Sequence, residues 1–419
     1  MVPKLRTHQI QNADKGSMVR DPARRIYAIL LLALVVRLVW IALCPNQPVS
    51  DQGIYHHAAN EIAQGKGFLD ELGRPIGWWP VGYPALLGAT YAVFGPHVWV
   101  GHLLNALLGV LTVAGVHALA KRMFGSGLAT LAALLAALHP TLVLYTTVLA
   151  TEHPFECGSL LVVLAMGRAF GVGSSPLWAL GTGLLIGGLT YVRPTALALL
   201  PLALAFAWPQ RKTVGPTLTR LVLLSVTAFA ALVPWGIRNQ QAFGVFSLTS
   251  LNAGSNLWMG NHEGSDGCYV PLPQWAVELP LVERESRLRE EAVRYIRADP
   301  AGYAKRCVAR SISTLRSDTI AVVWNEQGLT ARIGAWAVAP LKALCTGVHA
   351  LLYAAAALGM LVRLLRGRFG SSDFLLCAVL ALLALPFVLI VGGNRYHLPL
   401  IPFVIVAALA AWRRDHSIS

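Results

Sequence analysis

The stretch IYAILLLALVVRLVWIAL, residues 26–43, carries a single charge, Arg37, and is followed at once by PNQPVSDQGIY, residues 45–55. An apolar run of that length is what a helix needs to cross a bilayer. Polar and basic residues precede it, ending in Arg24 and Arg25, and no small-residue cleavage site follows, so it reads as a retained first span with residues 1–25 in the cytoplasm. Asp51, eight residues past the run, then lies just beyond the opposite, outer face of the membrane.

The rest of the chain repeats this pattern. With 55% hydrophobic and 13% charged residues in 419, there is too little charge for an ordinary soluble protein. Further apolar runs at 98–120, 128–149, 158–166, 177–191, 195–208, 221–235, 339–361, 374–391 and 398–411 bring the expected spans to about ten. The intervening loops assigned to the cytoplasm carry Lys121 and Arg122, Arg168, Arg211 and Lys212, then Arg363, Arg366 and Arg368, and the tail carries Arg413 and Arg414. That placement makes the net charge of +14 a topological signal, and no basic helix or aromatic motif points to nucleic acid.

The fold class is therefore an all-α polytopic membrane protein. Residues 26–238 form an N-terminal transmembrane module, and 239–338 an outer-face region with amphipathic helices, of which 283–297 is the most charged. Residues 339–419 form the C-terminal helices and a short cytoplasmic tail. The first outer loop, 45–97, is partly helical. Ile54, Ala58 and Ile62 recur at a spacing of four, placing a helix over 52–64 with Ser50 or Asp51 as its cap. The eleven apolar residues 84–94 are too short to span and suit an interfacial helix. His139-Pro140 inside the third run predicts a kink. The six cysteines form no CxxC pair; Cys44 and Cys268 are the two that the topology puts on the oxidising side.

Ionisable residues gather at the outward junctions: Asp51 with Tyr55 and His56, Glu152 with His153, Arg193, Arg238 with Asn239, and Arg395 with Tyr396 and His397. Carboxylates suit proton abstraction, and the planar fork of Arg suits phosphate. Asp51 and Glu152 are the candidate catalytic acids, and Arg37, Arg193, Arg238 and Arg395 the candidate phosphate ligands. Each has a plainer role as well: capping for Asp51, snorkelling for the outer arginines, and an interfacial belt for Trp78, Trp79 and Trp258, which could otherwise stack on a sugar. Asp51 with His56 or His57, and Glu152 with His153, offer ligands for a divalent cation, although the spacing is no standard metal pattern. A transporter or flippase would also use many spans and phosphate-binding arginines. It would place them near the midplane in repeated halves, and no repeat is visible.

Taken together the residues resemble the GT-C superfamily of membrane glycosyltransferases, in particular family 39-like members related to protein O-mannosyltransferases and aminoarabinose transferases. The resemblance runs in order through Arg37, Asp51-Gln-Gly-Ile-Tyr55, Gly65-Lys-Gly67-Phe68, Trp79-Pro-Val-Gly-Tyr-Pro84 and Thr151-Glu152. It continues through Tyr191-Val-Arg193-Pro194, Pro234-Trp-Gly-Ile-Arg238-Asn239, Asn256-Leu-Trp-Met-Gly-Asn261 and Arg395-Tyr-His-Leu-Pro399. It implies a GT-C-type bundle and transfer of a sugar from a polyprenyl-phosphate donor to an acceptor hydroxyl on a glycan, lipid or protein, at the outer face of a bacterial inner membrane. It places the first-loop acid at Asp51 and brings Tyr55, His56, Trp79, Tyr83, Asn239, Trp258, Asn261 and Tyr396 to the substrates. Gln52 stands where many members carry a second acid, which sets the chain apart from the protein mannosyltransferases.

Overall fold

The computed structural model describes residues 22–208 and 213–412. Residues 1–21, Arg211, Lys212, Arg413 and Arg414, which carry much of the charge expected in the cytoplasm, lie outside that range. Helix α1 (Pro22–Leu43) leads into the first loop, whose two helices are α2 (Asp51–Ala63) and α3 (Gly82–Phe94). Next come α4 (Val98–Phe124), α5 (Ser126–Leu138), α6 (Pro140–Leu144), α7 (Glu152–Ala169), α8 (Leu177–Val192), α9 (Leu202–Ala207), α10 (Val214–Ala230) and α11 (Val233–Phe243). The outer region holds α12 (Ala253–Met259), α13 (Gln274–Val277), α14 (Leu281–Ala298), α15 (Pro300–Leu315) and α16 (Ile320–Arg332). Helices α17 (Val338–Leu365), α18 (Ser371–Leu389) and α19 (Ile401–Ala408) complete the bundle. Among the described residues, strand pairing is limited to two isolated bridges.

Every expected span has a helical counterpart, although not every one is by itself long and apolar enough to cross a bilayer. Five helices are long and apolar enough, Arg24–Leu43, Val98–Phe124, Val214–Phe243, Ala335–Leu365 and Ser371–Leu389, or six with the pair Ser126–Leu138 and Pro140–Thr147. That pair bends by 53° at His139, where Pro140 removes a backbone donor, as the sequence predicts. The remaining apolar helices, Leu177–Val192, Pro194–Ala207 and Leu398–Trp412, are short. The reason is partly visible in burial. Every residue of α19 is buried, and α7 is buried along most of its length, so these helices pack inside protein rather than meeting lipid along their length. Around them α1 and α10 expose Leu31, Val35, Val39, Val222 and Val226, a lipid-facing surface.

Close packing inside the bundle depends on small residues. Gly183 and Gly187, one helical turn apart on α8, face Leu224, Thr227, Ala228 and Ala231 around the end of α10. A methyl group at Gly187 would stand 2.6 Å from the Ala231 Cβ and 2.8 Å from the Ala228 carbonyl, and one at Gly183 would collide with the Thr227 hydroxyl and Leu224 carbonyl. Small residues at this spacing let membrane helices approach backbone to backbone. Gly183→Leu should therefore cost about 1–3 kcal/mol or more by overpacking, read as a lower melting temperature in detergent. Gly188→Leu, where nothing lies within 4 Å, should be close to neutral. Equal losses in the two variants would refute the packing argument.

The six cysteines are free thiols. Cys44 is buried against Asn325 and Cys268 lies beside the Ser313 hydroxyl, so the pair that topology allowed is not bridged.

Candidate active site

The helix expected over 52–64 begins at Asp51, but neither Ser50 nor Asp51 caps it with a side chain. Ser50 has φ 54 and ψ −129, the one positive φ outside glycine among the described residues. Such a conformation costs of order 1–3 kcal/mol and tends to persist at functional sites. The Asp51 carboxylate turns away from the helix end, and its oxygens accept Arg395 Nη1 at 2.9 Å and Trp79 Nε1 at 3.3 Å. Capping is thus replaced by a link between the first loop and the α18–α19 loop.

Arg395 is held in the plane of this contact by aromatic faces. Its guanidinium lies 5.5 Å from the Trp324 ring and 5.3 Å from that of Tyr396, which itself stacks on Phe387 at 4.5 Å. Burial works against its charge, but Tyr396, Asp51 and Glu152 around it more than offset that and hold its pKa above the usual arginine value. The cation is therefore permanent.

Two cavities meet at this pair. The larger, about 890 Å³, is lined by Ser50, Ile54, Arg284, Arg316, Trp324 and Asn394 among others. The smaller, about 240 Å³, is lined on one side by Tyr55, Thr151, Arg193, Thr195, Ser250 and Asn256, and on the other by Phe387, Ile390 and Val391. Asp51, Trp78, Trp79, Arg395 and Tyr396 line both. These five residues form the shared wall, which contains the Asp51–Arg395 ion pair.

Behind the smaller cavity lies a second acid–base pair. Arg193 donates to the Glu152 carboxylate through Nη2 and to the Thr151 hydroxyl through Nε at 2.7 Å. Glu152 is only 1% exposed, whereas Nη1 of Arg193 has no protein partner. Burial without that pairing would strongly disfavour both charges. Arg193 is thus held by Glu152 and Thr151 through two of its nitrogens and keeps Nη1 without a protein partner.

The other expected site residues are elsewhere. Arg37 is fully buried below the outer face, where Nη1 donates to the carbonyls of Ala33 and Ala137 and the side chain fills the space over Gly109; it lines neither cavity. Arg238 lies on Trp235 and Phe243, 4.7 and 5.1 Å from their ring centres, and lines neither. Asn239 staples the following turn through Ser247 and Thr249, and Asn261 is tied to Leu257, Ile390 and Arg310. Trp258 stacks on His262 within an apolar cluster, Tyr83 bonds Asn105, and His56 bonds the Tyr91 hydroxyl at 2.8 Å. Burial and the neighbouring His57 lower the His56 pKa, so its imidazole is neutral at pH 7. His153 pairs with Glu156.

Six of the expected site residues, Asp51, Tyr55, Trp79, Arg193, Arg395 and Tyr396, thus line the cavities, with Glu152 behind them. Arg284, Arg316, Trp324 and Asn394 had no distinguishing local signal; Arg316 is one of several basic residues near α15.

Residues 79–237 match the family described as dolichyl-phosphate-mannose-protein mannosyltransferase. No curated protein sequence matches the chain. The fold is similar to that of the Archaeoglobus fulgidus oligosaccharyltransferase in the apo form, with a TM-score of 0.54 at 14% identity over 94% of this chain and 51% of that one. The same archaeal protein, AglB, in complex with an inhibitory peptide and a dolichol-phosphate, matches with a TM-score of 0.50 at 14% identity, over 92% and 50% of the two chains. ArnT from Cupriavidus metallidurans bound to undecaprenyl phosphate aligns with a TM-score of 0.47 at 15% identity, over 93% and 78%. The chain spans about half the length of the archaeal chains it matches. The all-helical polytopic fold and the resemblance to GT-C membrane glycosyltransferases are borne out.

Proposed function

We propose that this GT-C-type chain moves a sugar from a polyprenyl-phosphate donor to an acceptor hydroxyl at the outer, periplasmic face of a bacterial inner membrane, with both termini in the cytoplasm. The observation that carries the reading is the Asp51–Arg395 pair in the wall shared by two cavities. A glycosyl transfer needs that arrangement: a base on the side of the acceptor and fixed positive charge where the phosphate departs.

The smaller cavity suits the donor phosphate. The charges of Arg193 and Arg395, which line it, can neutralise that phosphate, while Phe387, Ile390 and Val391 at the end of α18 offer an apolar wall for the first isoprene units. The larger cavity suits the acceptor, whose sugar ring or chain can stack on Trp78 or Trp79. The acceptor oxygen attacks the anomeric carbon as the bond to the phosphate oxygen breaks, inverting that carbon. The acceptor proton passes to Asp51, and the electron pair leaves on polyprenyl phosphate. Charge growing on the phosphate competes with Asp51 for Arg395, so the carboxylate becomes more basic as the bond breaks. Glu152 holds Arg193 in position for the same phosphate.

Mass spectrometry of envelope glycans and lipid-linked sugars from cells with and without the gene tests the reading. Loss of the protein should cause one polyprenyl-phosphate sugar to accumulate while one modified acceptor disappears. Movement of a labelled lipid across vesicles by the purified protein, with no sugar transferred, would instead establish the flippase alternative.

A further inference from the structure

Asp318, His349 and His397 come from three separate parts of the chain and meet in the interior, with their possible ligand atoms within 4.8 Å of one another. Asp318 follows α15, His349 lies within α17, and His397 lies two residues beyond Arg395. All three are buried. Asp318 Oδ1 and His397 Nε2 lie 3.2 Å apart, and His349 Nδ1 has no hydrogen-bond partner.

Their other polar atoms are all engaged. His349 Nε2 is 2.7 Å from the Leu315 carbonyl and His397 Nδ1 is 3.1 Å from the Thr314 carbonyl. A carbonyl only accepts, so each of these nitrogens carries a ring hydrogen, and the second nitrogen of each ring is the one that can offer a lone pair to a metal. Asp318 Oδ2 accepts the Thr141 hydroxyl, and the Asp318 backbone N–H donates to the Thr346 hydroxyl at 3.3 Å. Two imidazoles and a carboxylate oxygen therefore converge in a buried space, where a proton between His397 and Asp318 or a metal cation among all three can hold them together. A backbone carbonyl on the far nitrogen of each imidazole is also the usual outer support of metal-binding histidine.

We propose that Asp318, His349 and His397 bind a divalent transition-metal ion of the zinc class. Two imidazoles and one carboxylate suit zinc, cobalt or iron rather than calcium or magnesium, and leave a fourth position for water. His397 Nε2 and Asp318 Oδ1 are 3.2 Å apart, close to the roughly 3.3 Å between two ligands each about 2.0 Å from a tetrahedral ion. The site differs from the Asp51 and Glu152 pairs considered from the sequence and touches neither cavity wall directly. Its ligands nevertheless sit two residues from Arg316 and two from Arg395, so the ion would clamp α17 to the loops that carry both arginines. The site does not depend on the transferase reading, because metal binding is measured without substrate.

The test uses the full chain purified in detergent without a polyhistidine tag. It should retain about one zinc-class ion per chain, and after chelation, added cobalt should give the visible absorption of a tetrahedral site and restore the lost melting temperature. His397→Gln should weaken binding at least about 100-fold, beyond the effect usual for an outer supporting residue, and abolish the cobalt spectrum. A folded wild-type chain that takes up neither zinc nor cobalt would overturn the proposal and leave a protonated His397 as the bridging cation. A folded His397→Gln variant that binds cobalt as the wild type does would overturn it as well. The wild-type spectrum decides the matter even if His397→Gln fails to fold.

Discussion

Replacing Asp51 by Asn is expected to lower sugar transfer by about 10²- to 10⁴-fold while leaving the melting temperature nearly unchanged. The carboxylate accepts from both Arg395 and Trp79, and both partners are donors. An amide offers only one acceptor atom, so one donor must face an NH₂ group, and the negative charge that would receive the acceptor proton is gone. The stability term is small because the side chains of Asp51 and Arg395 remain 23% and 31% exposed, and partly exposed ion pairs contribute at most about 1 kcal/mol. Activity and stability therefore separate at this position. Transfer by purified protein with extracted lipid-linked donor, measured beside thermal unfolding, tests it. An Asn variant with full turnover would show that Asp51 neither takes the proton nor orients the acceptor.

Arg193→Met should have the opposite signature, a large loss of stability together with loss of transfer. Removing the guanidinium leaves Glu152 charged, 1% exposed and without its ion-pair partner, a change that typically costs about 3–5 kcal/mol. Adding Glu152→Leu to Arg193→Met removes the stranded charge and should recover much of that loss, since a buried ion pair is often no better than apolar residues of similar size. It should not recover transfer, because the donor phosphate still lacks its fork of N–H groups. Thermal unfolding of the two single variants and the double variant decides this. If the double variant is as unstable as the sum of the single variants, the pair is not the source of the effect.

Much of the fold is legible in the sequence because apolar run length, the charges between runs and the Pro140 break are local properties. The helical positions follow from them, including α2, α3 and the charged α14. What local reading does not show is which short apolar runs meet lipid and which are enclosed like α19, since the runs look the same. The candidate site divides along the same line. Asp51 and Arg395 stand out as ionisable residues at outer junctions, but their contact joins positions 344 apart and no spacing rule reveals it. Arg37 and Arg238 carry the same local signal as Arg395, yet one donates to carbonyls inside the bundle and the other lies on two aromatic rings. Rotation of a helix about its axis decides such outcomes, and packing with distant helices sets that rotation.

The span between Asp51 and Arg395 also has a consequence for how the protein is made. The first loop is synthesised early, and the segment that closes the shared wall arrives only after almost all the preceding chain has been made. Until then Asp51 is a lone carboxylate without its guanidinium, and the two cavities lack the wall that divides them. Under the proposed function, a nascent chain stalled part-way through insertion would thus be a catalytically silent passenger, and the order of synthesis would itself act as a safety catch on unfinished copies.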